Sequence, residues 1–276
     1  MRINKIISAA LTEDRAFSDA TCALLPPRAA KAGAIAVMTA RETGVVCGLG
    51  VAAGVFRATS RRVRVEILVP DGKKVARGEV LLKARGPLRA LLAAERTALN
   101  FAGRLSGIAT LTARFVEAAR GTRARIFDTR KTTPCLRELE KSAVRAGGGR
   151  NHRMNLADMI LVKDNHLAVV PDPLLWVKAA RRRRKQIEIE CDSITRLPAV
   201  AAAAPDIILL DNMKPPVLRR AIAYIRKFRP SAQIEVSGGV NIKTVRGIAR
   251  LGPDRISVGA LTHSAPSLDL SLEIKS

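Results

Sequence analysis

Two adjacent cations on a predicted strand-to-helix loop indicate a site for an anion. Residues 128–134 place Arg130 beside Lys131, and a helix is predicted to begin at about Cys135. The first N–H groups of a helix, together with two cations, can bind a carboxylate or a phosphate. Taken alone, this loop would ordinarily be interpreted as a surface pair without a function. The neighbouring motifs therefore decide whether it is an anion site.

A second polar segment strengthens the anion-site interpretation. Three glycines at 147–149 precede Arg150-Asn151-His152-Arg153, and a predicted strand then ends at Lys163. Consecutive glycines let the backbone approach a ligand closely, although they can equally end a helix. The chain has three histidines, at 152, 166 and 263, and all of them lie in such polar loops. This favours a functional role over a purely structural one.

Carboxylates occur in otherwise apolar predicted strands. Glu188 and Glu190 alternate with isoleucines, and Asp211 ends the run 207–211. Alternation puts Glu188 and Glu190 on one face, which in a barrel is the interior, where an unpaired carboxylate is costly. These groups therefore need cations, ribose hydroxyls or a metal ion.

Small residues follow the last two predicted strands, at 237–239 (Ser-Gly-Gly) and 257–260 (Ser-Val-Gly-Ala). Loops at this position commonly bind phosphate in barrels. Helix capping could explain Ser237 and Asp211, but not the arginines, lysines and glutamates. The chain lacks a Walker loop, a nucleophile elbow and a GxGxxG motif. The whole set suits a doubly anionic small molecule and a phosphorylated sugar, and hence glycosyl or phosphoribosyl transfer.

The elements that must position these residues form a parallel sheet. Strands are predicted at 124–128, 159–163, 187–190, 207–211, 234–237 and 256–259, and helices at 136–146, 173–183, 194–203, 216–228 and 242–251. Strands that alternate with helices indicate an α/β fold with parallel strands. Polar groups follow every strand, which favours a barrel mouth over an open sheet, and six strands make that barrel incomplete.

The first part of the chain has a mixed pattern. Helices are predicted at 1–11 and 46–58, strands at 34–40 and 63–69, and a long helix at 88–120 with a possible break at Ser106-Gly107. We therefore expect an N-terminal α+β sandwich domain at 1–105 and the barrel at 106–263. The tail, 264–276, can pack back on the first domain.

Composition limits the function classes. With 47% hydrophobic and 26% charged residues the chain can bury a core, which excludes a wholly disordered basic protein. Its longest uncharged apolar stretch, at 43–56, is too short for a membrane span and contains four glycines. The four cysteines are far apart and predict neither a zinc site nor a disulfide framework. We expect a cytoplasmic protein.

The net charge of +24 raises nucleic-acid binding as an alternative. The run 181–185 (Arg-Arg-Arg-Arg-Lys) is its strongest motif. We expect this run at a helix C-terminus on the barrel end opposite the mouth, where cations complement the helix dipole.

Several strings of the chain resemble the quinolinate phosphoribosyltransferase family. They run in order over nearly the whole sequence, at 95–100, 105–110, 128–134, 147–153, 163–166, 210–212, 237–239 and 257–266. The resemblance implies transfer of phosphoribose from phosphoribosyl pyrophosphate to quinolinate with decarboxylation. The products are nicotinate mononucleotide, pyrophosphate and CO2, in de novo NAD synthesis. A paralogue associated with molybdenum transport is the alternative within the same fold, but it is expected to lack Lys163-Asp164-Asn165-His166.

The resemblance also implies roles for individual residues. Quinolinate carboxylates would be held by Arg130, His152, Arg153 and Lys163, with Arg96 reaching in from the partner subunit of a homodimer. Lys131, Glu190 and Asp211 would handle the ribose and the Mg²⁺-pyrophosphate, so the predicted catalytic residues are Lys131, Lys163, Glu190 and Asp211. The 5′-phosphate would lie against Ser237, Gly238, Gly239, Gly259 and His263, and Thr132, Ser257 and Ala260 complete the substrate-binding set. Mg²⁺ is the implied cofactor, arriving with the sugar substrate near Glu190 and Asp211.

Overall fold

The computed structural model describes residues 3–275, which divide into two compact units. Unit 1 comprises the described residues up to Ala113, Thr133–Gly148, and those from Ala265 onward. Unit 2 comprises Arg114–Thr132 and Gly149–Ser264. Met1 and Arg2 of the first predicted helix, and Ser276 of the tail, lie outside the described residues.

Twelve strands occur within residues 3–275. They are β1 (Gly33–Ala40), β2 (Gly44–Val45), β3 (Arg64–Ile67), β4 (Lys74–Val75), β5 (Val80–Pro87), β6 (Arg125–Phe127), β7 (Ile160–Val162), β8 (Ile187–Cys191), β9 (Ile207–Asp211), β10 (Gln233–Ser237), β11 (Arg255–Ser257) and β12 (Leu270–Lys275).

Twelve α-helices occur in the same range. They are α1 (Ile3–Glu13), α2 (Ala20–Ala23), α3 (Pro27–Lys31), α4 (Leu49–Thr59), α5 (Leu88–Ala118), α6 (Arg137–Ala146), α7 (Asp164–Val169), α8 (Pro173–Arg182), α9 (Leu197–Ala203), α10 (Pro215–Phe228), α11 (Val245–Arg250) and α12 (Ala260–His263). A 3₁₀ turn covers Ala16–Ser18. The short helices α2, α3, α7 and α12 were not predicted.

Unit 1 contains an antiparallel sheet in the order β12-β1-β5-β3 and a small β2-β4 pair. The tail strand β12 pairs with β1, with Ala36 opposite Ile274. Helix α4 packs on β3 and β5, and α1 packs on α4. Small residues at alternate positions of β1, such as Ala36 and Ala40, are fully buried and let the sheet core close tightly.

The predicted break in the long helix is wrong, because α5 runs without interruption through Ser106 and Gly107. The buried Ser106 hydroxyl accepts the Cys47 N–H at 2.9 Å and donates to the Cys47 carbonyl at 3.1 Å. A Cβ on Gly107 would meet the Pro266 carbonyl oxygen. Both residues are therefore small because the backbones of Cys47 and Pro266 lie close to the helix. A Ser-Gly pair also resembles the sequence signal for a helix break, which explains the wrong prediction.

Unit 2 contains the predicted six-stranded parallel sheet, in the order β6-β11-β10-β9-β8-β7. The two strands of this sheet that come first in the sequence, β6 and β7, are its edge strands. Because β6 and β7 do not pair with each other, the incomplete barrel is open between them. One face is apolar: Ile187, Ile189 and Cys191 pack in a core with residues of α8, α9 and α10. The alternate positions, Glu188 and Glu190, point to the opposite, inner face, as predicted from alternation.

Candidate active site

A cavity of about 730 Å³ opens where the parallel strands of unit 2 end. Most predicted site residues line it: Arg130, Lys131, His152, Arg153, Lys163, Asp211, Ser237, Gly238, Gly239, Ser257, Gly259, Ala260 and His263. Parallel strands present their carboxyl ends at one edge, and the loops that follow them converge there. The cavity therefore brings together groups that are up to 134 positions apart, which is the separation of residues 129 and 263.

Three predicted residues do not line this cavity. Thr132 is half-buried directly after Lys131, and Glu190 is buried next to Lys163. Arg96 is exposed on α5 and belongs to unit 1. Of the described residues, those that line the cavity all belong to unit 2.

The cavity wall is rich in cationic side chains, among them Arg130, Lys131, Arg153 and Lys163. The buried Nε of Arg130 has no hydrogen-bond partner. Arg153 donates from Nη1 to the Met159 carbonyl at 3.1 Å. Burial lowers the pKa of the Arg153 guanidinium, and the nearby charge of Arg130 lowers it further. Two guanidinium groups held close together favour an anion between them.

Lys163 is held at the end of β7 by a local cap and by an ion pair. Its backbone N–H donates to Nδ1 of His166 at 2.9 Å, and the His166 ring packs edge-on against Trp176. The Lys163 Nζ lies 2.7 Å from Oε2 of Glu190, which is only 8% exposed. His166 thus shapes the start of α7, and its place in a polar loop reflects capping.

The turns that follow β9 and β10 pack closely together, and each contains a residue with a positive φ. Gly238 has φ 90°, and a Cβ there would overlap Asn212 Oδ1 and lie 2.7 Å from the Asn212 backbone nitrogen. Asn212 itself has φ 53° and donates from Nδ2 to Oδ2 of Asp211 at 2.6 Å. The glycine is needed because Asn212 occupies its side-chain space. Asn212 was not predicted as a site residue, although it follows Asp211 directly.

The loop after β11 positions Lys131 and His263. A Cβ on Gly259 would lie 3.1 Å from Cδ of Lys131 and 3.1 Å from Nε2 of His263. The Thr262 hydroxyl donates to the Lys131 carbonyl at 2.7 Å. Helix α12 therefore fastens the loop that carries the two adjacent cations.

A buried polar network lies beneath the cavity, and the sequence reasoning identified only part of it. The network joins His152 and Glu188 to Glu235 and Arg255, which were not predicted. The Ser257 hydroxyl donates to Oε1 of Glu235. Nε of Arg255 lies 2.7 Å from Oε2 of Glu235, without hydrogen-bond geometry. Alternation along β10 places Glu235 on the same face of the sheet as Ser237. The argument that placed Glu188 on the inner face would therefore also have identified Glu235.

Burial raises the pKa of the Glu188 carboxyl to about 7 and that of Glu235 to about 7. Arg255 lowers both pKa values, but less than burial raises them. Glu188 Oε1 is buried without a hydrogen-bond partner, which adds to the cost of its ionisation.

We expect the contribution of these two carboxyls to the free energy of unfolding to fall between about pH 4.5 and 7. A carboxyl whose pKa is raised by folding stabilises the protein below its unfolded pKa, and this contribution is lost as the pH rises through its folded pKa. Glu188→Gln cannot ionise and should reduce the decline by roughly 1–3 kcal/mol. Thermal unfolding across this pH range checks it, with the exposed Glu66→Gln as control. Identical pH slopes for Glu188→Gln and wild type would contradict the buried-acid account.

The three consecutive glycines end a helix, which was the structural alternative for this segment. Gly147 follows α6 and donates its N–H to the Ala143 carbonyl at 3.0 Å, and Gly148 has φ 84°. The polar residues beyond them lie along β6: Arg150 N–H donates to Ile126, and Asp128 N–H donates to Arg150.

The basic run at 181–185 lies at the other end of the unit 2 sheet. Arg181 and Arg182 form the last turn of α8, just before the N-terminal end of β8. Arg181 pairs with Asp206 at 2.8 Å, and Lys185 donates to the Ala157 carbonyl. These contacts give Arg181 and Lys185 structural roles that do not require a nucleic acid. Among residues 3–275, no helix has both the length and the hydrophobicity that a membrane span requires.

Comparison with known proteins gives one consistent result. Residues 19–106 match the family model of the quinolinate phosphoribosyl transferase N-terminal domain, and residues 108–273 match that of its C-terminal domain. Nicotinate-nucleotide pyrophosphorylase [carboxylating] of Mycobacterium leprae is 43% identical over 245 residues, covering 86% of this chain and 85% of that protein.

Two solved structures have the same fold. The nicotinate-nucleotide pyrophosphorylase of Ehrlichia chaffeensis is 36% identical, with a TM-score of 0.92, and covers 100% of this chain and 99% of its own. NadC from Streptococcus pyogenes is 40% identical, with a TM-score of 0.91, and covers 99% of this chain and 96% of its own.

Proposed function

The chain belongs to the quinolinate phosphoribosyltransferase family, and from this we propose how its cavity carries out the family reaction. The enzyme joins quinolinate to phosphoribose from phosphoribosyl pyrophosphate with loss of CO2, in NAD biosynthesis. The observation that carries the assignment of the site is the cation-rich cavity of unit 2, whose Arg130 Nε is buried without a partner.

Quinolinate is a dianion, and it fits the side of the cavity formed by Arg130, Arg153 and Lys163. Guanidinium groups bind carboxylates in bidentate fashion, and burial strengthens these bonds. Quinolinate would add negative charge beside the two crowded guanidiniums, those of Arg130 and Arg153. Its ring nitrogen then faces the sugar site, so that the cations fix its orientation.

The phosphorylated sugar fits the opposite side, against the loops after β10 and β11. Ser237, Gly238 and Gly239 offer a hydroxyl and closely approaching backbone for the 5′-phosphate, and Gly259, Ala260 and His263 lie on the adjoining loop. Lys131 lies beside Gly259 and is placed to neutralise the leaving pyrophosphate. Asp211 ends β9, the strand next to β10, and can orient ribose hydroxyls.

The chain promotes reaction by position and charge. As the bond from C1′ to pyrophosphate breaks, the sugar carbon becomes cationic, and the carboxylate of Asp211 stabilises that charge. The quinolinate nitrogen forms the new bond to C1′, and its ring becomes positively charged. Loss of the 2-carboxylate as CO2 then leaves an electron pair beside N⁺, and a proton replaces the carboxylate. Glu190, paired with Lys163, holds the lysine at the anion side.

Mg²⁺ fits this site through Asp211. Its carboxylate lines the cavity, and oxygen ligands from one or two carboxylates and a substrate's phosphates are what Mg²⁺ prefers. Glu190 does not line the cavity, and its Oε2 is already paired with Lys163. Donor atoms of His152, Glu188 and Glu235 lie within 4.8 Å of one another, but all three side chains are buried and Arg255 already pairs with Glu235. When bound, Mg²⁺ would neutralise charge on the leaving pyrophosphate.

Chelation of Mg²⁺ should stop turnover, and added Mg²⁺ should restore it. Asp211→Asn should raise the Mg²⁺ concentration for half-maximal rate by about tenfold or more, because one anionic ligand is lost. The exposed Asp192→Asn is the control and should titrate like wild type. Full activity in excess chelator would refute the Mg²⁺ proposal.

A homodimer with shared sites is the second part of the proposal, with the cytoplasm as its location. Arg96 is exposed and does not line the cavity, yet it lies in a string shared with the family. A partner subunit could bring it to the anion side. The four cysteines are free thiols, as is usual in a reducing compartment.

Mixing Arg96→Ala with Lys163→Ala should recover activity that neither variant has alone. Random exchange makes half of the dimers mixed, and one of their two sites would be intact, so about a quarter of wild-type activity should return. A mixture of Arg130→Ala with Lys163→Ala is the control, because every site then lacks one group. No recovery with Arg96→Ala, after subunit exchange is shown with two affinity tags, would refute shared sites.

A further inference from the structure

His152 is the point where the buried carboxylates of unit 2 meet. Its backbone N–H donates to Oδ1 of Asp128 at 2.8 Å. Its ring Nε2 lies 3.0 Å from Oε2 of Glu188 and 3.5 Å from Oε1 of Glu235. Its ring Nδ1 lies 2.8 Å from the backbone nitrogen of Arg153. Both ring nitrogens therefore face groups of the protein.

These partners assign the proton on the ring. A backbone N–H can only donate, so Nδ1 of His152 accepts from Arg153 and carries no proton. The ring proton is then on Nε2, where carboxylate oxygens accept it. An imidazolium would turn a second N–H against the Arg153 amide. The contacts thus require a neutral imidazole with its proton on Nε2.

The surrounding charges do not require a cationic histidine. The charged groups that contact the ring directly are Glu188 and Glu235, both at Nε2, and the pKa of each carboxyl is raised to about 7 by burial. Arg255 is ion-paired to Glu235 and stacked 4.1 Å from the Phe127 ring centroid, so it supplies positive charge to the acids.

The position of His152 allows these hydrogen bonds to hold the segment that carries Arg153. The segment 150–153 lies beside β6 at the open seam of the sheet, and a single bridge joins Phe127 to Arg150 among the described residues. His152 reaches from this segment across the inner face to β8 and β10. The next residue, Arg153, carries one of the two crowded guanidiniums of the cavity.

We propose that His152 is a positioning residue, a neutral Nε2–H imidazole that ties the Arg153 segment to Glu188 and Glu235 and does not itself bind the substrate. This differs from the role as a carboxylate ligand that the family resemblance implies. Its effect on turnover rests on the proposed function, whereas the state of the ring can be measured without any substrate.

The ring is tested by NMR of full-length protein labelled with ¹⁵N-histidine. The chain has three histidines, and the His152 signals are those lost in His152→Gln. We expect a pyridine-like Nδ1 and a pyrrole-like Nε2 from pH 6 to 8, unchanged when quinolinate is added. Two pyrrole-like nitrogens in the quinolinate complex, or a proton on Nδ1, would overturn the proposal.

Two variants separate positioning from direct binding. The Gln side chain can place an amide N–H near the Nε2 position, while the shorter Asn cannot reach Glu188. His152→Gln should stay within about tenfold of wild type, and His152→Asn should raise KM for quinolinate by about 100-fold with little change in KM for phosphoribosyl pyrophosphate, because misplacing Arg153 by about 1 Å is costly. Equal losses in both folded variants would overturn the proposal. If His152→Asn does not fold, the kinetics of His152→Gln and the NMR pattern still test the positioning role of His152. If the wild-type protein does not turn over quinolinate, only the proposed function is refuted, because the state of the ring is measured without substrate.

Discussion

Arg130→Ala should lower kcat/KM for quinolinate by about 10³-fold while the protein stays folded. The Arg130 guanidinium lies in the cavity with its Nε buried and without a hydrogen-bond partner, so its removal takes no internal bond from that nitrogen. Two charge-assisted bonds to a carboxylate contribute about 1.5–3 kcal/mol each, which gives this loss. Steady-state kinetics with varied quinolinate measures it.

Arg130→Lys and Arg182→Ala are the controls for this result. Lysine keeps the charge but not the planar fork, so it should recover only part of the loss. Arg182 is exposed on the last turn of α8 at the far end of the sheet, and its removal should leave turnover unchanged. Wild-type kinetics for Arg130→Ala would mean that the anion binds elsewhere.

Gly238→Ala should raise KM for phosphoribosyl pyrophosphate by about 100-fold. An alanine at φ 90° is strained, and its Cβ would push Asn212 away from Asp211. Strain of this kind costs about 1–3 kcal/mol, and displacement of the phosphate loop adds to the loss. KM for quinolinate should change much less, because Arg130 and Arg153 lie on other loops. Both KM values come from one set of initial-rate measurements.

Gly247→Ala provides the matched control in the same unit. Gly247 lies in α11 without a left-handed φ, and a Cβ there would meet nothing within 4 Å. Alanine favours helices over glycine, so activity should be retained and stability slightly increased. Equal effects of the two glycine substitutions on KM for phosphoribosyl pyrophosphate would remove the argument for a built phosphate loop.

The parts of the site that follow from local sequence patterns were predictable. Alternation along β8 placed Glu188 and Glu190 on the inner face, and polar residues after each strand marked the mouth of the sheet. The same rule applied to β10 would have found Glu235. The six-stranded parallel sheet followed from the alternation of strands and helices.

Features that depend on long-range contacts were beyond the sequence. A possible break of the long helix was predicted at Ser106-Gly107. The Cys47 and Pro266 backbones that explain these two residues are distant in sequence, so no local pattern could reveal them. The His166 ring caps Lys163, a contact that composition cannot distinguish from a functional one. The pairing of Arg255 with Glu235 needs two neighbouring strands in register, and no pattern within one strand reveals it.

The most direct measurement of the central claim resolves every product of the reaction. Purified protein with quinolinate, phosphoribosyl pyrophosphate and Mg²⁺ should form nicotinate mononucleotide, pyrophosphate and CO2 in equal amounts. Nicotinate in place of quinolinate should give little product, because it lacks the second carboxylate that the Arg130 side of the cavity is proposed to hold. Absence of nicotinate mononucleotide, or equally fast turnover of nicotinate, would contradict the account.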